Sequence, residues 1–377
     1  MQSRPDGNVA LTAEIDITKN GGECLVGIAC GSDPAEAAQQ ARAGLLDDFD
    51  KTLCTFRQEW QDQQARYASI EDLSGSKLDM YRVSTAVLET HQSKRFPGAF
   101  IASLSLPWGF DRSDKDVGGY HVLWPRDLCE TAMGKLASGD AKSARSALFY
   151  LSCTQDEHGG WSQNMWLDGT EHWDAVQMDG MALPILLADK IRQANALEGY
   201  DAGPMVHGAA CFLVKHGPVS QQGRWEAAPG YSIYTVCTEI AALLAAADFA
   251  EAEGNVAGAI FLRDTADAWC DAMDELTYAS GTPLAKQHGV QGYYMRVTPP
   301  ELIEHASVGE LRVEMPESSS GAKDRPGDRC RKPGRACPGA FRAAGSRRSA
   351  HGGHGESPGR NPETPHDNGP RVGSLHR

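Results

Sequence analysis

The chain carries an acidic side chain in a setting suited to acid catalysis. Glu226 follows Trp225 in the segment 224–232, which reads RWEAAPGYS. An indole beside a carboxylic acid shields it from water and raises its pKa, so that the acid stays protonated near neutral pH. Cleavage of a glycosidic bond requires such a group to protonate the leaving oxygen. We therefore predict that Glu226 is a general acid, with an exposed loop glutamate as the alternative.

Two further segments combine aromatic rings with polar groups. Residues 118–127 read GGYHVLWPRD, and residues 160–169 read GWSQNMWLDG, followed by Trp173, Gln177 and Asp179-Gly180. Flat rings stack on the faces of sugars, and Arg and Asp make directional hydrogen bonds to hydroxyl groups. The combination indicates a polar, ring-shaped ligand. For Asp127 the alternative is a carboxylate at the start of a helix, with Arg126 as its partner on the surface.

The elements that position these segments begin with a short β region. Residues 8–31 read as two strands joined by the hairpin residues Asn20-Gly21-Gly22. Because two strands are not stable alone, we interpret them as the end of a larger β domain. A helix is expected from Pro34 to about Phe49, followed by a polar linker helix.

From about residue 78 the pattern changes to long amphipathic helices. Apolar residues recur at helical spacing, which predicts about seven helices between residues 78 and 280. Gly139-Asp140 should end one helix and cap the next. Further helices are predicted over 175–197, 205–216, 234–253 and 257–279. The run 240–247 is apolar nearly all round, so its helix should be buried on two sides.

Composition narrows the function classes. The 377 residues carry a formal charge of −14 and are 41% apolar, which supports a globular core and argues against a nucleic-acid partner. No apolar run approaches the roughly 18 residues of a membrane span, and no signal region is visible, so we expect no membrane partner and, by default, a cytoplasmic protein. The cysteines form no metal motif, so neither metal nor cofactor is expected. Cys24 and Cys30 could pair across strands, with buried thiols as the alternative.

The segment after residue 315 differs from the rest. Residues 316–377 consist mainly of Arg, Gly, Pro, Ser and His, with few aliphatic residues. Such a segment cannot bury enough apolar surface to fold. We interpret it as a disordered tail translated out of frame, with a basic arm for polyanions as the alternative.

Four motifs, in this order and spacing, resemble the bacterial glucoamylases and glucodextranases of glycoside hydrolase family 15. They are WPRD at 124–127, QNMWLDG at 163–169, QMDG at 177–180, and WE with GYS at 225–232. The likeness covers roughly residues 8–315. It implies a mainly α fold in four parts: the remnant of an N-terminal β-sandwich (1–32), a helical linker (33–77), part of an (α/α)6 barrel (78–315) and the tail (316–377).

The resemblance also implies roles for individual residues. Glu226 matches the general acid, and Arg126 and Asp127 match the pair that binds hydroxyls of the terminal glucose. Tyr120 and Trp124 match aromatic residues that line this pocket, and Trp173 matches the tryptophan that packs against the acid and the substrate. Trp225 is also expected to bind the substrate. The family hydrolyses α-1,4 and α-1,6 glucans from the non-reducing end with inversion, which requires a second carboxylate as base.

Two departures from the family pattern affect the expected activity. Ala227 stands where family members commonly carry a second acid that bonds the sugar. No segment after residue 280 matches the Trp-Ser-His/Tyr-Ala type motif that accompanies the base. We therefore expect an impaired glucoamylase-like fragment. The alternatives are a glucodextranase or trehalase-type hydrolase, and a glucan-binding remnant without catalysis; a terpene-cyclase-like helical ring would need Asp-rich or zinc motifs that are not seen.

Overall fold

The computed structural model describes residues 13–18, 21–70, 74–104, 119–224, 228–300, 312–314 and 324–326. This part of the chain is mainly helical, which confirms the predicted class. The long helices are α1 (Pro34–Leu46), α2 (Phe49–Arg66), α3 (Ser76–Thr90), α4 (Pro125–Ala137), α5 (Ala141–Thr154), α6 (Met178–Gln193), α7 (Gly203–His216), α8 (Ile233–Ala252) and α9 (Val256–Asp271). The short helices are α10 (Met273–Thr277) and α11 (Pro283–His288).

The described strands form three small antiparallel pairs. They are β1 (Asn164–Met165) with β2 (Glu171–Trp173), β3 (Tyr278–Ser280) with β4 (Gly292–Tyr294), and β5 (Arg312–Glu314) with β6 (Asp324–Pro326). Strand β6 lies in the segment that was interpreted as a disordered tail. Three residues of that segment, 324–326, are therefore paired with β5. The rest of residues 316–377 lies outside the described residues.

The helices pack in successive pairs, and the first helices of these pairs lie side by side in a row formed by α4, α6 and α8. Helix α4 contacts α5, α6 contacts α7, and α8 contacts α9, while α4, α6 and α8 are neighbours of one another in that order. The predicted burial of α8 is confirmed, since it packs against α6, α7 and α9. Because every second helix belongs to the row, the loops before α4, α6 and α8 lie at one end of it. All four motifs precede or begin these helices or lie in the β1–β2 hairpin.

Local sequence accounts for the helix boundaries. Pro125 is the first residue of α4, where its missing N–H costs nothing. Gly139 lies two residues after the last residue of α4 and has φ +94°, a conformation that favours glycine and ends the helix. Asp140 then caps α5, because its side chain accepts a hydrogen bond from Ser143 N at 3.1 Å. The prediction made from Gly139-Asp140 is thus confirmed.

Lys135 on α4 joins the preceding helices to the helical core. Its side chain is fully buried. Its Nζ donates to Glu89 Oε2 at 2.5 Å and Tyr67 Oη at 2.9 Å, and pairs with Asp140 Oδ2 at 3.0 Å. Burial acts to lower the pKa of this amine, but its hydrogen-bond partners outweigh burial and raise the pKa above its ordinary value. Lys135 therefore stays charged and fixes α2 and α3 against α4.

The predicted hairpin near the N-terminus is not formed by the described residues. Residues 13–17 and 22–31 pair with no strand, although Gly22 N donates to Ile17 O at 3.1 Å across the turn. The side chains of Leu25 and Ile28 are 53% and 91% exposed. No sheet of described residues covers them, and a strand pair without a covering layer is marginal in water. Cys24 and Cys30 are free and exposed, so the pairing considered for them is not formed.

By length and composition alone, helix α8 is apolar enough to cross a membrane, although the sequence predicted no such segment. Threonines and Glu239 interrupt its apolar run, but its mean hydropathy stays high. About 50% of its apolar window is buried inside the structure. The core helix of a folded helical domain has the same placement.

Candidate functional site

Arg126 lies at the centre of the candidate site, buried at the start of α4. Its Nη1 donates to Gln177 Oε1 at 2.6 Å and to Asp179 Oδ2 at 3.2 Å. Its Nε lies 3.7 Å from Asp127 Oδ2. Gln177 and Asp179 lie at the start of α6. These hydrogen bonds therefore join the N-terminal ends of α4 and α6. Arg126 is not a surface partner of Asp127, which was the alternative weighed for it.

Asp127 is the more accessible of the two acids that face Arg126. Its side chain is 38% exposed, whereas that of Asp179 is 1% exposed. Partial burial raises the pKa of Asp127, and the nearby Arg126 guanidinium partly offsets this rise. Asp179 thus fixes the guanidinium from inside, and Asp127 presents carboxylate oxygens towards the open side.

Two tryptophans predicted to line a pocket pack against each other beside Arg126. The rings of Trp124 and Trp173 meet edge to face with centroids 5.7 Å apart. The indole of Trp124 donates to Gly119 O at 3.1 Å, and the Arg126 guanidinium carbon lies 5.8 Å from its ring centroid. Tyr120 is partly buried in the adjacent turn. The structure therefore brings Tyr120, Trp124, Arg126 and Asp127 together with Trp173 from the β1–β2 hairpin.

The hairpin is held by Asn164, which the sequence reading did not select as a site residue. Its Oδ1 accepts a hydrogen bond from Trp173 N at 3.0 Å, while its buried Nδ2 has no partner in the part of the chain that the structure describes. A Cβ on Gly119 would lie 3.4 Å from this Nδ2 and 3.5 Å from the Trp173 ring. These are ordinary van der Waals distances, so it is the backbone, with φ +64°, that favours glycine here. The signal available in the sequence was an asparagine between two tryptophans, Trp161 and Trp166.

Residues 225–227, with the predicted acid Glu226 and its neighbour Trp225, lie outside the described residues. Both ends of their loop are fixed. Ser220 and Gly230 exchange backbone hydrogen bonds of 3.1 and 2.9 Å, which close the loop. Tyr231 and Thr298 exchange two more, of 2.9 and 2.8 Å. Gly230 permits this close approach, because a Cβ there would stand 2.3 Å from Thr298 O.

The loop is also tied to the row of helices. Arg224 Nη2 donates to Glu130 Oε1 on α4 at 2.9 Å, and its guanidinium carbon lies 4.6 Å from the Tyr234 ring on α8. Gln177 Nε2 donates to Gly223 O at 3.4 Å. Residues 223 and 224 therefore lie at the end of the row where Arg126 is found. Glu130 was missed by sequence reasoning, although it follows Asp127 by three positions and shares its helix face.

This arrangement suits recognition of a neutral, hydroxylated ring. A fixed guanidinium and a carboxylate offer hydrogen-bond donors and acceptors, and indole rings offer apolar faces. Among the described residues, no group of three His, Cys, Asp or Glu side chains could hold a metal ion.

Comparisons with known proteins agree with this geometry. The model of glycosyl hydrolases family 15 matches residues 153–300, and that of glucodextranase, domain N, matches residues 1–65. A glucoamylase of Clostridium sp. (strain G0005) is 34% identical over 292 residues, which are 77% of this chain and 40% of that protein. The chain thus spans about 40% of the length of this relative.

A solved structure supports the predicted architecture. The crystal structure of a bacterial glucoamylase complexed with acarbose superposes with a TM-score of 0.62 at 33% identity, covering 71% of this chain and 38% of that one. Paired helices around a row of alternate helices are part of an (α/α)6 barrel in such proteins, so the predicted fold class is confirmed.

Proposed function

Because this chain belongs to glycosyl hydrolases family 15, we propose that it is glucoamylase-like and binds the non-reducing end of an α-glucan at the ends of α4, α6 and α8. One observation carries the proposal: Arg126 is buried and fixed by Gln177 and Asp179 beside the more open Asp127. The guanidinium and the Asp127 carboxylate bind sugar hydroxyls. Trp124, Trp173 and Tyr120 exclude water around the ring.

The proposed chemistry begins with proton donation by Glu226. The acid protonates the glycosidic oxygen as the bond to the anomeric carbon breaks, and the leaving sugar departs with that proton. Inversion requires a second carboxylate, about 6.5–9.5 Å from the acid, to deprotonate a water on the opposite face. No carboxylate of this sequence stands in the motif expected of that base, so binding is the primary test of the proposal and turnover a secondary one.

The similarity to a glucoamylase supports an α-1,4 glucan as the ligand. The match of residues 1–65 to glucodextranase, domain N, supports an α-1,6 glucan as the second candidate. The two differ in linkage, while the terminal glucose that meets Arg126 is the same in both. Calorimetric titration of the full chain with maltotriose and with isomaltotriose distinguishes them, since the correct linkage should bind more tightly.

The decisive variant is Trp173→Ala. Removing its indole should weaken maltotriose binding by roughly 2- to 13-fold, because loss of one stacked ring costs about 0.5–1.5 kcal/mol. Trp60→Ala is a matched control: Trp60 is also partly buried, but lies on α2 against Phe56. Equal affinities of the two variants would contradict the proposal. In an assay for glucose release, any activity should disappear in Glu226→Gln.

A further inference from the structure

Glu239 is a fully buried acid that the proposed chemistry does not use. It lies on α8, and its side chain is inaccessible to solvent. Among the described residues, neither Oε1 nor Oε2 has a hydrogen-bond partner, and the same is true of Thr235 Oγ1, one turn earlier on the same helix face. An ionised carboxylate without donors is strongly disfavoured in such a place, whereas the neutral acid is tolerated.

The carboxyl group of Glu239 fits beside the end of α7 because residue 217 is a glycine and has no side chain. A Cβ on Gly217 would stand 2.6 Å from Glu239 Oε1 and 2.7 Å from the Trp269 ring. Gly217 has an ordinary φ of −82°, so its backbone does not require glycine, but the packing does. The end of α7, helix α8 and Trp269 of α9 thus enclose the carboxyl group.

The neighbour that matters electrostatically is Asp179. Burial raises the pKa of Glu239 well above its ordinary value, and the negative charge of Asp179 raises it further. Gly217 at the end of α7 and Trp269 on α9 carry no charge, and Thr235 on α8 is neutral. Asp179 in turn pairs with Arg126 at 3.2 Å. Ionisation of Glu239 would place a second buried negative charge beside this pair.

We propose that Glu239 is a positioning residue that remains a neutral carboxylic acid, so that no second buried negative charge competes with Asp179 for the Arg126 guanidinium, which Gln177 also holds. It acts through Asp179 and touches no substrate. The effect on sugar binding rests on the proposed function of Arg126, but the protonation of Glu239 and its coupling to Asp179 do not. Ionisation of Glu239 therefore does not disturb the orientation of Arg126 until the pH reaches the raised pKa of Glu239.

Infrared difference spectroscopy of the full chain tests the protonation directly. The spectrum of the wild type minus that of Glu239→Gln should contain the carbonyl stretch of a protonated carboxylic acid at neutral pH. Replacing Asp179 by Asn should move the titration of this band to lower pH, since a negative neighbour is removed. Absence of the band, or a titration unaffected by Asp179→Asn, would overturn the proposal.

Maltotriose titration tests the positioning role. Glu239→Gln keeps the shape and neutrality of the acid, so its affinity should stay within about fivefold of the wild type, which corresponds to about 1 kcal/mol. As the pH rises through the pKa of Glu239, the wild type should lose affinity and Glu239→Gln should not. A larger loss at neutral pH, or failure of both Glu239→Gln and Glu239→Met to fold, would contradict a neutral role. If the wild type binds no glucan, the proposed function fails, while the infrared band still decides the state of Glu239.

Discussion

Replacement of Lys135 by Met should destabilise the fold more than any exposed lysine substitution. Lys135 is fully buried, and its Nζ bonds Glu89, Tyr67 and Asp140 at 2.5 to 3.0 Å. Met fills a similar volume, so the change removes the charge without opening a large cavity. What is lost is the cation that compensates two carboxylates.

The magnitude follows from the exposure of those partners. Breaking a buried ion pair by removing one member costs about 3–5 kcal/mol, because the other charge is left unpaired. The side chains of Glu89 and Asp140 are 29% and 14% exposed, so water reaches both in part. We therefore expect the lower end, about 3 kcal/mol of unfolding free energy.

Urea unfolding followed by circular dichroism measures this difference. Lys142→Met is the matched control, since Lys142 is exposed on α5. Burial acts to raise the pKa of Asp140, but hydrogen bonds from Lys135 and Ser143 outweigh it and lower the pKa. The stability gained from this lowered pKa is present above the ordinary carboxyl value of about 4 and is lost as the pH falls through the lowered value. The deficit of Lys135→Met should shrink over that window; a deficit equal to that of the control would refute the reasoning.

Three further predictions concern glycine, the loop and pH. Gly98→Ala should lower the free energy of unfolding by about 2 kcal/mol or more, because a Cβ there would stand 2.1 Å from the carbonyl oxygen of Ser146 on α5. Gly75→Ala is the control: Gly75 also has a positive φ but open space around it, so the loss in the same unfolding assay should be about half as large. Arg224→Gln should weaken maltotriose binding several-fold while changing the free energy of unfolding by less than about 1 kcal/mol, since its ion pair is exposed. Arg263→Gln, which removes two other exposed ion pairs, is the control and should leave the affinity measured by calorimetry unchanged. Affinity should fall as the pH is lowered through the raised pKa of Asp127, and this acid limb should be absent from Asp127→Asn.

The helix series was largely predictable from short-range signals. Gly139-Asp140 marked a boundary because glycine ends a helix and aspartate caps one, and both effects act within a few residues. Apolar residues at helical spacing placed α6 to α9 for the same reason. The hairpin expected over residues 8–31 was wrong within the described residues, since a strand depends on partners that local sequence does not supply.

The sequence selected several residues of the candidate site, but it did not predict the contacts between them. Ordered motifs selected Arg126, Asp127 and Trp173, but Arg126 was weighed as a surface partner of Asp127. Its closer partners are Gln177 and Asp179, 51 and 53 positions along the chain. Glu239 gave no signal, since one acid in an apolar run does not reveal what surrounds it.

The sequence by itself determined which chemical groups the chain carries, their order and the helices that bear them. Residue type and local spacing are sufficient for these, because helix periodicity, caps and turns depend on near neighbours. Only the tertiary structure decided that Arg224, which precedes Trp225-Glu226 in the chain, is fixed to α4, that Asp179 secures Arg126, and that Glu239 is enclosed without a hydrogen-bond partner among the described residues. Burial and charge pairing are set by residues distant in sequence, and they alone decide which of several identical carboxyl groups is ionised.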